Sequence, residues 1–208
     1  FGRVYDLCPN FRAEKSKTRK HLTEFWSLNP EIAFIEHEES LKIQEASVKY
    51  VVKYVLEHGN EELTLLERDL SDLRAVVDKP FTHYEYGDAI AELKKRGSDI
   101  EYGHDLGADD EELLTKDSDV PVIVKNWPKN IKPFYMKGHP TDSKLVLNAD
   151  VLASRGFGEI IGGSQRDTDI SQLKKYLKAQ GEKPDNNEWY FDTRRYGNVT
   201  HSGFGLGV

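Results

Sequence analysis

The first 36 residues contain two extended segments separated by a polar stretch. Residues 3–14 and 22–36 predict two strands, and residues 15–21 between them predict the long loop of a hairpin. Side chains two apart on a strand point to the same face, so Arg12 and Glu14 are expected side by side on the first strand. This face of the hairpin is therefore the first candidate for a binding surface.

The middle of the chain has the apolar periodicity of helices. From Ser40 to His58 apolar residues recur at helical spacing, with Ser40 predicted to cap the start and Gly59 to close the end. Two further helices are predicted over residues 61–77 and 88–96. We expect these helices to pack their apolar stripes against a sheet.

The second half of the chain predicts mainly strands. The acidic stretch 99–119 is expected to be loop, and 169–181 an amphipathic helix with Ile170, Leu173 and Leu177 on one face. Because strands lie early and late with helices between, the fold class is predicted as α+β, an antiparallel β-sheet with packed helices, in one unit without repeats or linkers. The late strands are predicted over residues 120–128, 132–136, 143–153 and 157–166.

Composition narrows the classes of protein. At 208 residues the chain can bury one sizeable core. Its 29 lysines and arginines against 36 aspartates and glutamates give a net charge of −7, which excludes attraction to nucleic acid by bulk charge and leaves local basic patches. The single cysteine, Cys8, rules out an internal disulfide or a cysteine-based zinc site. Without an apolar run near ~20 residues or a signal-peptide pattern, the sequence predicts a cytoplasmic location and no membrane partner.

Cations gather in the predicted hairpin loop beside Arg12. Such a run is common in solvated loops, but cations at the mouth of a pocket also bind polyphosphate by charge-assisted hydrogen bonds. Phe25, on the second strand, is either a flat face for a purine or an ordinary core side chain. The loop cations are Lys15, Lys17, Arg19, Lys20 and His21.

Two carboxylates occur on successive predicted strands near the end of the chain. Asp150 and Glu159, joined by a short glycine-containing turn, can converge on one Mg²⁺, although two acids at this spacing also occur by chance. Arg166 follows seven residues after Glu159 and is either a surface cation or a fork aimed into the cleft at a carboxylate or amide. A metal site and an adjoining pocket are thus candidates here.

The wording of these motifs resembles a known family. "FRAEKSKTRKHLTEFW" resembles motif 2 of the class II aminoacyl-tRNA synthetases, and "GFGLG", a weak signal by itself, resembles the opening of their motif 3. "KPFYMK", "GEIIGGSQR", "WYFDTRRYG" and "HSGFGLG" are similar to the asparaginyl-tRNA synthetase branch. The resemblance covers nearly the whole chain.

For the nucleotide, the resemblance implies an ATP site on the hairpin. Arg12 would be the catalytic residue, binding the α-phosphate and the amino-acid carboxylate and stabilising the charge that develops during attack. Glu14 would contact the edge of the adenine, Phe25 would stack on it, and His21 would reach the terminal phosphates. The face that carries Arg12 and Glu14 is therefore expected to hold ATP.

For the amino acid and the metal, the resemblance implies a second group of residues. Asp150 and Glu159 would hold Mg²⁺, and Arg166 would take the side-chain oxygen of the bound amino acid. Asn29 stands where an asparaginyl enzyme is expected to have glutamate. An asparagine beside Arg166 can pair with an amide or a carboxylate, so we expect weak discrimination between asparagine and aspartate.

The resemblance also implies the organisation and partners of the protein. Residues 1–208 would form a partial catalytic, adenylate-forming domain of the class II type, incomplete at both ends, with a helical and acidic-loop elaboration at about 60–119. This segment alone is expected to be inactive. The full-length protein would be an ATP-dependent ligase and a homodimer, using ATP, Mg²⁺, tRNA and asparagine or aspartate.

Two other functions stay open from the sequence. One is a synthetase-like paralogue that adenylates aspartate and makes asparagine, which Asn29 favours. The other is a non-catalytic, synthetase-derived binding protein, which the altered pocket favours. Amino-acid-dependent exchange of pyrophosphate into ATP separates the three.

Overall fold

The computed structural model describes residues 2–13 and 22–208. Its strands form one sheet of seven, in which every neighbouring pair is antiparallel except β3 and β4. The strands are β1 (Arg3–Phe11), β2 (Glu24–Ala33), β3 (Thr82–Glu85), β4 (Val122–Lys125), β5 (Asn148–Ala153), β6 (Gly158–Gln165) and β7 (His201–Gly207). Their order across the sheet is β1-β2-β7-β6-β5-β4-β3.

Helices occupy the connections between the strands. They are α1 (His37–His58), α2 (Asn60–Leu65), α3 (Ser71–Asp78), α4 (Tyr86–Lys95), α5 (Ala108–Thr115), α6 (Ile170–Ala179) and α7 (Glu188–Arg195), with short 3₁₀ segments at Lys129–Ile131 and Pro184–Asn187. Among the described residues, no helix is both long and apolar enough to cross a membrane.

The main core lies between one face of the sheet and α1. Strand registers align Ile123 with Val151 and Val151 with Ile161, so one apolar row crosses β4, β5 and β6. These side chains pack against Leu41 and Val48 of α1. Because side chains alternate along each strand, the residues between them point to the other face.

Two further cores lie toward the ends of that other face. At the β3–β4 end, Leu93 of α4 and Leu114 of α5 pack on Val124 and the buried ring of Trp127. Beyond the other strands, α6 and α7 form a third cluster. The middle of the face is left between these clusters and carries polar side chains and glycines.

The structure confirms several predicted elements. The hairpin is β1 and β2, the third predicted helix is α4, and β6 lies within its predicted segment. Leu173 and Leu177 of α6 are buried as expected, with Ile170 packed beside them. Gly59 ends α1 by donating its N–H to the Val55 carbonyl at 2.8 Å.

Other predicted elements were wrong in their boundaries. Helix α1 begins at His37, and Ser40 is a buried residue inside it, accepting from Gln44 Nε2 at 3.2 Å, rather than its cap. The predicted helix over 61–77 is two helices, α2 and α3, because the chain turns through Glu67, which has φ 49°. The predicted 132–136 strand is irregular, with Met136 in one isolated bridge to Arg166.

The acidic stretch 99–119 is not entirely loop, because it contains α5. Acidic residues in its first turn, Asp109, Asp110 and Glu111, suit the positive end of the helix dipole. The Asp110 carboxylate also accepts from the Gly107 N–H at 3.2 Å. The crossover from β3 through α4 and α5 to β4 makes that one strand pair parallel, where the sequence predicted an antiparallel sheet.

His37 couples the stability of α1 to pH. Its backbone N–H donates to Gln165 Oε1 at 3.1 Å, and its ring is buried with neither nitrogen hydrogen-bonded to a described residue. Burial lowers the pKa of the His37 ring to about 4. Between this value and the ordinary 6.5 the unfolded chain binds more protons, so stability rises with pH across this window and is lost below it.

We therefore expect His37→Gln to flatten the acid side of the stability profile. From pH 7.5 to pH 5 the parent should lose about 2 kcal/mol of unfolding free energy through this residue, and the variant should lose less by about that amount. Urea denaturation at the two pH values measures the difference. His58→Gln, at the exposed far end of the same helix, is the control. Equal pH dependence in the parent and His37→Gln would contradict the assignment.

Candidate active site

One row of polar residues and glycines crosses the uncovered face of the sheet. Asp6 on β1 lies opposite Asn29 on β2, and Gly205 on β7 lies opposite Gly162 on β6. Gly162 in turn lies opposite Asp150 on β5. The row therefore joins the hairpin, where the cations were noted, to the strand that carries the predicted metal ligand.

Glycines keep the floor of this face open. A Cβ at Gly203 would overlap the carboxylate of Glu31, and one at Gly205 would lie 3.3 Å from Asn29 Oδ1. A Cβ at Gly162 would lie 2.9 Å from Glu159 Oε1 and 3.8 Å from Asp150 Oδ1. The alternating glycines of β7 thus give room to side chains from the neighbouring strands, which bare backbone permits.

Arg166 is fixed at one side of this floor by Glu31. Its Nη2 lies 2.6 Å and its Nε 3.1 Å from Glu31 Oε1, and Nη1 donates to Ser164 Oγ at 2.6 Å. The guanidinium also lies over the Tyr135 ring, 5.1 Å from its centroid. Only 14% of the Arg166 side chain is exposed, so the arginine is a positioned fork and not a surface cation.

Asn29 has other partners in the structure. Its Nδ2 donates to Asp6 Oδ1 at 2.8 Å and lies 2.9 Å from Ser27 Oγ. The sequence suggested an asparagine beside Arg166, but the contact to Arg166 is made by Glu31, two residues further along the same strand face. The acid that faces Arg166 is therefore Glu31, and Asn29 does not contact this arginine.

Arg12 and Phe25 lie together at the outer end of the hairpin. The Arg12 guanidinium carbon is 5.3 Å from the centroid of the Phe25 ring, and the Arg12 N–H donates to the Thr23 carbonyl at 2.9 Å. The two side chains are therefore within reach of one ligand. Glu14 and His21, with the other loop cations, lie outside the described residues.

Asp150 is paired with a lysine that sequence reasoning missed. Lys132 Nζ lies 2.6 Å from Asp150 Oδ2, with 10% and 7% of the two side chains exposed. Burial lowers the pKa of Lys132, but the charge of Asp150 and the hydrogen bond to it raise the pKa more, and the net direction is upward. Burial raises the pKa of Asp150, but the 2.6 Å contact to the ammonium describes an ionised pair.

Glu159 completes a carboxylate pair with Asp150. Burial of its carboxyl group and the nearby charge of Asp150 raise the pKa of Glu159 to about 8, although the residue as a whole is exposed to solvent. The part of this shift that comes from Asp150 is a repulsion between two acids, which a bound cation would relieve. No group of three or more histidine, cysteine or acidic side chains in the described part of the chain is arranged for a metal.

The sequence analysis did not predict two residues of this site, Glu31 and Lys132. Only Glu31 could have been found from the sequence pattern. Glu31 is two positions beyond Asn29, so strand alternation would have placed it on the same face. Lys132 lies in a segment misread as a strand and reaches Asp150 only through tertiary folding. Nothing in the local pattern indicates that contact.

The fold and site belong to one class of protein. The family described as "tRNA synthetases class II (D, K and N)" matches residues 1–208, and the chain belongs to this family. This confirms the resemblance found in the sequence motifs.

Within the family, the asparaginyl members are similar over the whole chain. The chain is 46% identical over 207 residues to asparagine–tRNA ligase of Lactobacillus delbrueckii subsp. bulgaricus, covering 100% of this chain and 48% of that protein. It superposes on asparaginyl-tRNA synthetase from Pyrococcus horikoshii complexed with asparaginyl-adenylate with TM-score 0.94 at 47% identity, covering 99% of this chain and 47% of that one. The corresponding Entamoeba histolytica complex gives TM-score 0.88 at 33% identity, covering 99% and 47%. The chain thus spans about half the length of these relatives.

Because the Glu31 carboxylate occupies the space above Gly203, we expect Gly203→Ala to push it off Arg166. The variant should lose about 1 kcal/mol of unfolding free energy, measured by urea denaturation. In a Glu31→Ala background the same substitution should cost nothing, because the overlapping carboxylate is gone. Gly207→Ala, on the same strand with nothing within 4 Å of its Cβ position, is the control. Equal costs in both backgrounds would contradict the close approach.

Proposed function

We propose that residues 1–208 form the amino-acid-activating part of an asparagine–tRNA ligase, a partial catalytic domain with its elaboration at about 60–119. The observation that carries the proposal is the glycine-floored face on which Arg12, the Arg166–Glu31 pair and the Asp150–Glu159 pair are arranged. Similarity to asparaginyl enzymes over the whole chain supports the same reading. The full-length protein would then transfer the activated amino acid to tRNA.

In the proposed reaction, a carboxylate oxygen of the amino acid attacks the α-phosphorus of ATP. The bond from phosphorus to the pyrophosphate oxygen breaks, and an aminoacyl-adenylate forms. Arg12 would donate to the α-phosphoryl oxygens as charge develops, and Phe25 beside it would stack on the adenine. Glu14 and His21 keep their proposed roles at the adenine edge and the terminal phosphates.

Amino-acid selection is assigned to Arg166, Glu31 and Asn29. Arg166 has five N–H donors, and those left free by Glu31 and Ser164 can donate to the side-chain oxygen of the substrate. Glu31 can accept from an amide NH₂ and repels a carboxylate, so the pocket favours asparagine over aspartate. Asn29, turned toward Asp6, would line the pocket with its Oδ1, near Gly205.

The carboxylate pair fits one Mg²⁺. Asp150 and Glu159 approach across the bare backbone of Gly162, where a Cβ would intrude, and oxygen ligands are what Mg²⁺ prefers. When bound, the ion would neutralise phosphate charge and orient the triphosphate. Asp150 and Glu159 would hold the ion, and Asp150 is also the ion-pair partner of Lys132.

A second copy of the chain is the proposed partner of the hairpin's other face. Tyr5, Leu7 and Phe11 of β1 and Trp26 of β2 are each more than half exposed and point away from the polar face. Contiguous exposed apolar side chains mark an interaction surface. The patch supports a homodimer of the full-length protein.

Arg12→Ala in the full-length protein should nearly abolish asparagine-dependent exchange of pyrophosphate into ATP. Loss of one donor aimed at the developing charge reduces the rate on the order of a hundredfold to a thousandfold. Arg3→Ala removes an exposed arginine at the other end of β1, the strand that ends just before Arg12, and should leave the rate unchanged. An exchange rate within tenfold of that of the parent would contradict the proposed role of Arg12.

Glu31→Gln should weaken the preference for asparagine over aspartate. The amide removes the charge that repels a substrate carboxylate, so the ratio of kcat/KM values should fall by roughly tenfold to a hundredfold. Exchange assays with the two amino acids side by side measure it, and Glu24→Gln, on the opposite face of β2, is the control. An unchanged ratio would remove Glu31 from selection, and a parent that activates aspartate better would favour the aspartate-adenylating paralogue.

A further inference from the structure

Lys132 forms an ion pair with Asp150, one of the two proposed metal ligands. Its Nζ lies 2.6 Å from Asp150 Oδ2 and 3.5 Å from Asp105 Oδ1. The two acids differ, because the Asp150 side chain is 7% exposed and that of Asp105 is 65% exposed. The ammonium therefore has one buried partner and one solvated partner within a short movement.

Hydrogen bonds fix the backbone of Lys132, while its side chain can reach either Asp150 or Asp105. Its carbonyl accepts from Tyr176 Oη at 3.0 Å and from Gln180 Nε2 at 3.1 Å, both on or directly after α6. Its Nζ lies 3.7 Å from the centroid of the Trp127 ring, a contact that favours a cation above the ring face. A fixed backbone and a flat aromatic wall confine the ammonium to the space between Asp150 and Asp105.

We propose that Lys132 is the resident counter-cation of Asp150: it neutralises this buried carboxylate when no metal is bound and exchanges it for Asp105 when a divalent cation binds Asp150 and Glu159. Lys132 is a positioning residue in this role, since it acts through the carboxylates. The inference rests on the proposed metal pair of the ligase site. It adds that the metal is bound in competition with a lysine of the chain itself.

Competition between Lys132 and the metal predicts the direction in which metal affinity changes. A buried carboxylate without a partner is costly, so Lys132 stabilises the metal-free site. The same positive charge lies on Asp150 Oδ2 and repels a divalent cation that approaches this carboxylate. Removing the charge should therefore tighten metal binding, whereas removal of a lysine that only supported the fold would leave it unchanged.

The test is the affinity of the full-length protein for Mn²⁺, followed by electron paramagnetic resonance without ATP. Lys132→Met should bind Mn²⁺ about tenfold more tightly than the parent. Lys129→Met is the matched control, because Lys129 lies over the Tyr176 ring and has no ion-pair partner among the described residues. Asp150→Asn should abolish Mn²⁺ binding at this site, both in the parent and combined with Lys132→Met.

A crystal structure of the parent with Mn²⁺ tests the exchange without a substitution. We expect Mn²⁺ between Asp150 and Glu159, with Lys132 Nζ moved away from Asp150 toward Asp105. Unchanged or weaker Mn²⁺ affinity in Lys132→Met, Mn²⁺ bound with Nζ still on Asp150, or no Mn²⁺ at the pair would each overturn the inference. Retained asparagine-dependent exchange in the parent would show that the proposed function stands even then.

Discussion

The two-residue alternation of side chains along the sheet is the constraint on which the site depends. One set of alternate residues, including Ile123, Val151 and Ile161, packs against α1 and forms the main core. The other set must then point away from that core, to the face that carries Asn29, Gly162 and Asp150. Packing of the apolar row against α1 therefore fixes the register of β5 and β6, because a one-residue slip there would turn Asp150 or Gly162 toward α1.

Charge balance is the second feature that organises the face. Arg166 has Glu31, Lys132 has Asp150, and the Asn29 amide has Asp6, so these two cations and the amide donor each meet an acid. Burying a lone charge is unfavourable, and these pairs allow ionised groups to lie on a partly covered surface. Glu159 is the exception, because it faces another carboxylate, and burial together with the charge of Asp150 raises its pKa. The imbalance lies where the proposed reaction needs a divalent cation.

The glycines of β6 and β7 convert this charged face into a site with depth. Side chains at Gly203 and Gly162 would displace Glu31 and Glu159 from the positions in which they meet their neighbours. The sequence showed these glycines only as a weak alternating motif. Their meaning comes from the strands on either side, since each glycine makes room for a residue distant in the chain.

The sequence by itself determined the fold class, the hairpin, the main amphipathic helices and, through its motifs, the family. These follow from local periodicity and from short sequence motifs, which tertiary contacts do not alter. It failed where local signals are mixed, as in α5 within an acidic stretch and in the break between α2 and α3 at Glu67.

Only the tertiary structure decided which residues meet across the site. The partner of Arg166 is Glu31 because β2 and β6 both flank β7, a strand from the end of the chain. The partner of Asp150 is Lys132, from an irregular segment whose backbone is held by α6. Strand alternation indicates which face Glu31 lies on, but its partner depends on strand order and register between residues more than a hundred positions apart. A pattern along the chain does not specify such a pairing.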